Sequence, residues 1–337
     1  MTTVTRGYWR RIGAAMLLGT VVLLSLATLL VALRDEAAGA VSGNDPLLPL
    51  RHAYWLAYSN SVRPLISSQW LYIGLPCLLL AQTLWPASRQ EGTLNTGLLH
   101  DSCWAVIHGV TVGSFIWTFL QLAHELLDPW TAPLRLGLLQ DVPAWAEIVI
   151  GYLLIELLGW FNHMLRHKVK VLWIFHEVHH SQAEMNPFTL FRVHPVDYLI
   201  AEAIILLPSV LFEESLGVAL AYLTIARIHD ALNHSNIRTN LGWLRFVFVT
   251  PQSHRVHHAA DAAFHDMNFG VTLSVWDRLF GTHAPSDFVY PETGIPDRQF
   301  PLETRRSLVQ LPATLLAQLA YPFVKAANMC WRSPQPD

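Results

Sequence analysis

Charge is what this chain lacks most. Only 14% of its 337 residues are Asp, Glu, Lys or Arg, where a soluble domain carries about 25%. With 52% of residues hydrophobic, that scarcity excludes a disordered chain and a coiled coil. Lysine is almost missing: Lys168, Lys170 and Lys325 are the full set, and the formal net charge is −3. A nucleic-acid binder that neutralises phosphates needs a basic excess, so that class is excluded too. Cysteine is equally scarce. Cys77, Cys103 and Cys330 are too few and too scattered for a disulfide framework, a thiolate metal site or an iron–sulfur cluster. There is no Gly/Ser linker, internal repeat, low-complexity tract or glycine-rich nucleotide fingerprint. What the chain does have is a mean hydropathy of +0.32, 13 tryptophans and 17 histidines.

The apolar residues fall into runs of membrane length, which is about 20 residues for a helix. Ala14–Leu33 is uncharged and follows Arg6, Arg10 and Arg11. Ala38-Gly39-Ala40 resembles a signal cleavage site, yet the run exceeds the ~7–15 residues of a signal core and reads as an anchor. Leu65–Trp85, Trp104–Leu122 and Val142–Phe161 follow. Glu147 and Glu156 in the last are costly in lipid, so they should face protein or headgroups. The N-terminal arginines and the Arg166, Lys168, Lys170 group are separated by four crossings, an even number, which places both basic flanks on the cytoplasmic side. Leu199–Ile228 is apolar but broken by Pro208 and Glu213-Glu214-Ser215, and reads as a helical hairpin that returns to the face it left. Leu308–Val324 reads as an amphipathic helix at the interface.

Eleven of the histidines lie between His163 and His258, and their spacing is regular. His163 and His167 follow the fourth run. His176, His179 and His180 come next, and His254, His257 and His258 repeat that pattern. Spacings of three and four put side chains on one helix face. A lone histidine such as His52, His100 or His124 is ordinarily a core or interfacial residue. Eight imidazoles in three helical clusters have no such economy, because buried polar groups without partners are costly. Neutral imidazole is the commonest side-chain metal ligand. Eight are too many for one tetrahedral zinc and suit two metals. His179 comes one residue too early after His176-Glu177 for the zincin pattern; His180 does complete an i, i+4 pair with His176, but Glu177 then remains ordinary and the other clusters go unexplained.

At these residues the sequence resembles the integral-membrane fatty acid hydroxylase and sterol desaturase superfamily. The likeness runs from about Val142 to His283. Besides the clusters it includes Asn186-Pro187, Arg192-Val193-His194-Pro195-Val196-Asp197 and His234-Ser235-Asn236. Its strongest part is Thr250-Pro251-Gln252-Ser253-His254-Arg255-Val256-His257-His258, and Asn268-Phe269-Gly270 and Trp276–Thr282 continue it.

The resemblance implies an all-α integral membrane protein, with a four-helix transmembrane stem under a cytosolic helical cap that holds a dimetal site. Three regions are expected: membrane helices over 1–141, the hydroxylase-like domain over 142–283 and a cytosolic or interfacial tail over 284–337. The implied metal ligands are His163, His167, His176, His179, His180, His234, His254, His257 and His258. Asp230 stands where some members carry another ligand, and either replaces it or orients His234; His229 could compete. His194 is a further site candidate, as ligand, as partner to one or as a turn residue. The implied activity is O2-dependent, di-iron hydroxylation or desaturation of a membrane lipid, fatty acyl or sterol-like. Two iron ions are the expected cofactor, with zinc possible in purified protein. Since no flavin, nicotinamide or haem motif is present, a separate ferredoxin- or cytochrome-type donor is expected. A zinc transporter or sensor and a zinc-dependent membrane hydrolase are the alternatives; transporters place their ligands at the bilayer midplane, whereas these clusters follow a span.

Overall fold

A computed structural model describes residues 74–89, 92–111, 129–130, 142–205, 216–303 and 310–331. The first apolar run lies outside them. The principal helices are α1 (Leu75–Leu84), α2 (Thr96–Thr111), α3 (Ala144–Lys168), α4 (Lys170–His180), α5 (Pro195–Ile205), α6 (Leu216–His234), α7 (Pro251–His257), α8 (Val275–Phe280) and α9 (Leu311–Trp331). Among the described residues, short 3-10 helices at Thr189–Phe191, Gly242–Phe246 and Ala262–Phe264 lie between them. Among the described residues there is no strand, only the isolated bridges Pro86–Ile237, Phe248–Leu273 and Ala259–Thr293.

Helix α3 is, among the described residues, the one helix long and apolar enough to cross a membrane. Its 25 residues extend about 37 Å, more than the ~30 Å hydrocarbon core. Trp145, Ile148, Val149, Leu153 and Phe161 are exposed, whereas Ile155, Glu156 and Trp160 are buried. Glu156 does face protein: its carboxylate accepts the Thr272 and Leu273 amides at 3.1 and 2.8 Å. The second run is described from its α1 portion onward. Of the third run only Trp104–Thr111, within α2, is described, and that part is not simply lipid-facing, because Trp104 and His108 are buried.

Val169 ends α3 and starts α4 in an extended conformation (φ −93°, ψ 109°). That single break folds His176 back toward His167. Helices α5 and α6 both pack on α3, and both junctions, Asp197 and His234, lie against the α4 histidines. The apolar segment therefore leaves and returns at one place, as a hairpin requires; its turn lies outside the described residues.

Helix α9 packs on α4. Trp104, Val178 and Phe300 form a buried core with Ile107, Ile295, Leu315, Leu319 and Tyr321 around it, so α2, α4 and α9 share one interior. Lys325 of α9 reaches Glu177 at 2.6 Å and Asp297 at 2.6 Å.

Candidate metal centre

The short helices α4 and α7 carry their histidines toward their C-terminal ends. Thr250 caps α7 in a reciprocal capping box with Ser253, and Pro251 occupies its first turn. The helix presents His254, His257 and His258 at once. Across the chain the imidazoles sort into two groups. His163, His167, His176, His180 and His257 form one; His179, His234, His254 and His258 form the other, with ring nitrogens within 4.8 Å of one another in each. In each His-x-x-His-His motif the i, i+4 pair shares a group and the middle histidine crosses to the other. The groups touch where His180 stacks on His258, centroids 4.2 Å apart.

Outer contacts fix how the rings point. Nδ1 of His163 lies 2.9 Å from the Phe269 carbonyl, and Nδ1 of His257 lies 2.8 Å from that of Met267. Nδ1 of His176 meets the Asp197 carboxylate at 2.9 Å, which Arg166 holds at 3.2 Å. Nδ1 of His179 faces the Arg192 carbonyl at 3.3 Å, and Nδ1 of His234 faces the Asp230 carbonyl at 2.9 Å and its carboxylate at 3.0 Å. Oxygens of these kinds only accept, so each Nδ1 carries the proton and each Nε2 its lone pair.

Those lone pairs converge with nothing to meet them. In the five-histidine group Nε2 of every ring is buried without a hydrogen-bond partner. In the four-histidine group Nε2 faces Nε2, at 3.2 Å for His179–His234, 2.9 Å for His234–His254 and 3.2 Å for His254–His258. Burial, with repulsion from neighbouring rings added, pushes His179, His180, His254 and His258 well below the usual imidazole range. Burial and the Arg166 charge do the same to His176, and burial takes His257 to about 4. Neutral rings offer lone pairs rather than protons, and facing lone pairs repel unless a cation lies between them. A metal ion fits each group.

His194 is not brought into either group. Its Nδ1 accepts the Val196 amide at 3.1 Å, at the start of α5, and its Nε2 lies 3.1 Å from the Leu319 carbonyl of α9. Both nitrogens are thereby engaged away from the centre. His229 meets Phe248 edge-on and belongs to neither group. His283 pairs with Asp287 at 2.9 Å. His52 and His124 lie outside the described residues.

Several supporting groups were assigned no role in the sequence, although Gly270 and Asp277 sat in quoted motifs. Asp277 accepts the Phe269 and Gly270 amides, each at 2.8 Å, and the Trp160 indole at 2.9 Å, fixing the loop whose carbonyl receives His163. A Cβ on Gly270 would lie 2.6 Å from the Leu273 carbonyl, so that turn needs glycine. Asp197 sat in a quoted motif without a role. Asp101 and Glu303 lay outside every motif.

Residues 148–282 match the fatty acid hydroxylase family model. Over this segment the chain resembles the fatty acid hydroxylase family. It is 31% identical over 182 residues to an ornithine lipid hydroxylase, OlsE, of Rhizobium tropici, covering 54% of this chain and 51% of that one. Alkylglycerol monooxygenases are similar as well. The Xenopus tropicalis protein is 25% identical, over 70% of this chain and 53% of its own; the human protein is 32% identical, over 50% and 34%. The chain thus spans about half the length or less of these curated relatives. No solved structure matches. All nine grouped histidines fall inside the hydroxylase segment.

Proposed function

We propose that this protein is a membrane-bound, O2-dependent di-iron lipid hydroxylase. The observation that carries the reading is the pair of buried, neutral imidazole groups inside a fatty acid hydroxylase segment, in a chain whose similar relatives are named for lipid hydroxylation and monooxygenation. The five-histidine group holds one metal and the four-histidine group the other. Such a pair, when bound, activates dioxygen for insertion of one oxygen atom into a C–H bond, the second atom leaving as water. Two electrons come from a separate ferredoxin- or cytochrome-type donor.

The chain's own residues do the holding and the shielding. The Phe269 and Met267 carbonyls and the Asp197 carboxylate keep the proton on Nδ1 in the five-histidine group. Asp230 and the Arg192 carbonyl do so in the other, which gives Asp230 an orienting role toward His234. Burial of both groups excludes water. A transmembrane stem with the histidines in a cap on its cytoplasmic face suits the rest: the rings gather at the basic end of α3, near Arg166 and Lys168. The segment between the second and third apolar runs is found at that same end, where Ala87 bonds Asn236 and Gln182 bonds Asp101. The boundaries 1–141, 142–283 and 284–337 describe the sequence division, although α2 and α9 pack into the hydroxylase core.

Anaerobic purification, metal analysis and O2 uptake on adding reductant and membrane lipid test this reading. Two metals per chain, iron-supported O2 uptake and a hydroxylated lipid are expected; zinc in place of iron in overexpressed material would leave the count unchanged. An alkene product would redirect the chemistry to desaturation. Zinc-dependent lipid hydrolysis without O2 uptake, or zinc transport, would overturn the proposal.

A further inference from the structure

Arg192 is a fully buried guanidinium, and it is held between two carboxylates from outside the hydroxylase segment. Asp101 of α2 receives its Nε at 2.6 Å, and Glu303 receives a terminal nitrogen at 2.6 Å. The second oxygen of Asp101 accepts from Gln182, Asn186 and Thr189, each at 2.7 Å. One carboxylate thus binds the whole connection between α4 and Arg192. Gly97 brings α2 close enough for this: a Cβ there would lie 3.0 Å from Gln182 and Glu184. From the other side, Arg192 donates to the Ser181 hydroxyl at 3.1 Å, one residue beyond His180, and its carbonyl receives His179 Nδ1 at 3.3 Å.

We propose that Asp101 and Glu303 are positioning residues for the four-histidine group, acting through Arg192 on His179. This rests on the reading that each histidine group holds a metal. The clamp has the features of a rigid mount. Burial opposes the charge on Arg192, but the two carboxylates outweigh it and raise its affinity for the proton. His100, 3.1 Å from the same guanidinium, is driven to about 4 by burial and by that charge, so it stays neutral beside it. The hydroxylase segment accordingly does not complete its own centre. One ligand of the four-histidine group is oriented by a carbonyl whose place is set by residues before and after that segment. The five-histidine group is oriented by Phe269, Met267 and Asp197.

The test is cobalt(II) titration of the full-length, metal-stripped chain in detergent, read by visible absorption. His254→Ala and His167→Ala supply reference spectra for chains lacking one group or the other. Wild type should take up two equivalents. In Asp101→Asn and Glu303→Gln, the equivalent at the five-histidine group should keep its affinity and spectrum. The other should weaken 10- to 100-fold, the usual effect of losing a ligand's partner, with a shifted absorption band. Thr189→Val removes one hydrogen bond to Asp101 and should weaken it less; this variant and Glu303→Gln decide the matter if Asp101→Asn does not fold. Unchanged titrations in the folded variants would overturn the proposal and leave the two-metal reading standing. So would an equal loss at both groups, which marks a general staple. A wild-type chain that takes up no cobalt at the four-histidine group would overturn both.

Discussion

The two histidine groups are built from the same motifs yet supported differently. The five-histidine group leans on the membrane-length helix: His163 and His167 are its own residues, and the loop that orients His163 is anchored back to it through Trp160 and Asp277. The four-histidine group has no ligand candidate on α3. It hangs from α4, α6 and α7 and is oriented by Arg192 and Asp230. One group is tied to the span, the other to the segments that flank the domain. Identical ligand chemistry can therefore fail independently at its two supports.

The largest effect should come from the ligand candidates themselves. His257→Ala and His254→Ala are each expected to abolish lipid hydroxylation and to lower bound metal from two equivalents to about one, the first at the five-histidine group and the second at the other. The double variant should be no less active than either single one, because the groups act as a unit. Metal analysis beside a hydroxylation assay checks this, and turnover by either variant would break the pairing.

Next come the groups that hold loops. Asp277→Ala strands the buried Phe269 and Gly270 amides and the Trp160 indole. At about 1–3 kcal/mol for each unpaired buried group, a loss of about 3 kcal/mol or more is expected in thermal unfolding. The residual metal loss should fall on the five-histidine group.

Asp197→Asn and Asp230→Asn sharpen the contrast at intermediate size. Each should lower metal affinity about 10- to 100-fold, the first at the group containing His176 and the second at the group containing His234. Loss of the same equivalent in both variants would contradict the separate supports.

Acid should find the flank support. Burial alone would raise Glu303, but Arg192 outweighs it and holds the carboxyl at about 2, against an ordinary 4.5. A depressed folded value means its contribution is full above pH 4.5 and lost as pH falls toward about 2. Glu303→Gln should therefore destabilise the chain at neutral pH, and the gap from wild type should close on acidification. A gap that widened in acid would reverse the sign. Smallest of all, His194→Ala should cost about 1 kcal/mol through the start of α5 and the contact to α9, with no change in metal count.

The sequence made some of this legible and concealed the rest for a physical reason. The clusters could be read because i, i+4 spacing is local: His176 with His180 and His254 with His258 announce a shared face. Glu156 was expected to face protein or headgroups because a carboxylate is costly in lipid, and it faces protein. Asp101 and Glu303 gave no signal, because their partner Arg192 is 91 and 111 residues away, and a single acidic residue has no period. The same limit applies along α9, where Gln318 bonds Trp104 of α2 at 3.0 Å and Lys325 pairs with Glu177 of α4.

Helix α4 carries one more implication. From Ile174 to His180 all seven consecutive residues are buried: histidines toward the metal groups, Val178 into the shared core, Glu177 against Lys325. An amphipathic helix tolerates substitution on alternate turns, where its outer side meets solvent or lipid. This stretch has no outer side. Saturation mutagenesis should show an unbroken block of intolerance there, without the 3.6-residue rhythm expected along α9, whose Leu316, Phe323 and Val324 remain exposed. A tolerance map would thus locate the centre of the protein by the place where its helical periodicity disappears.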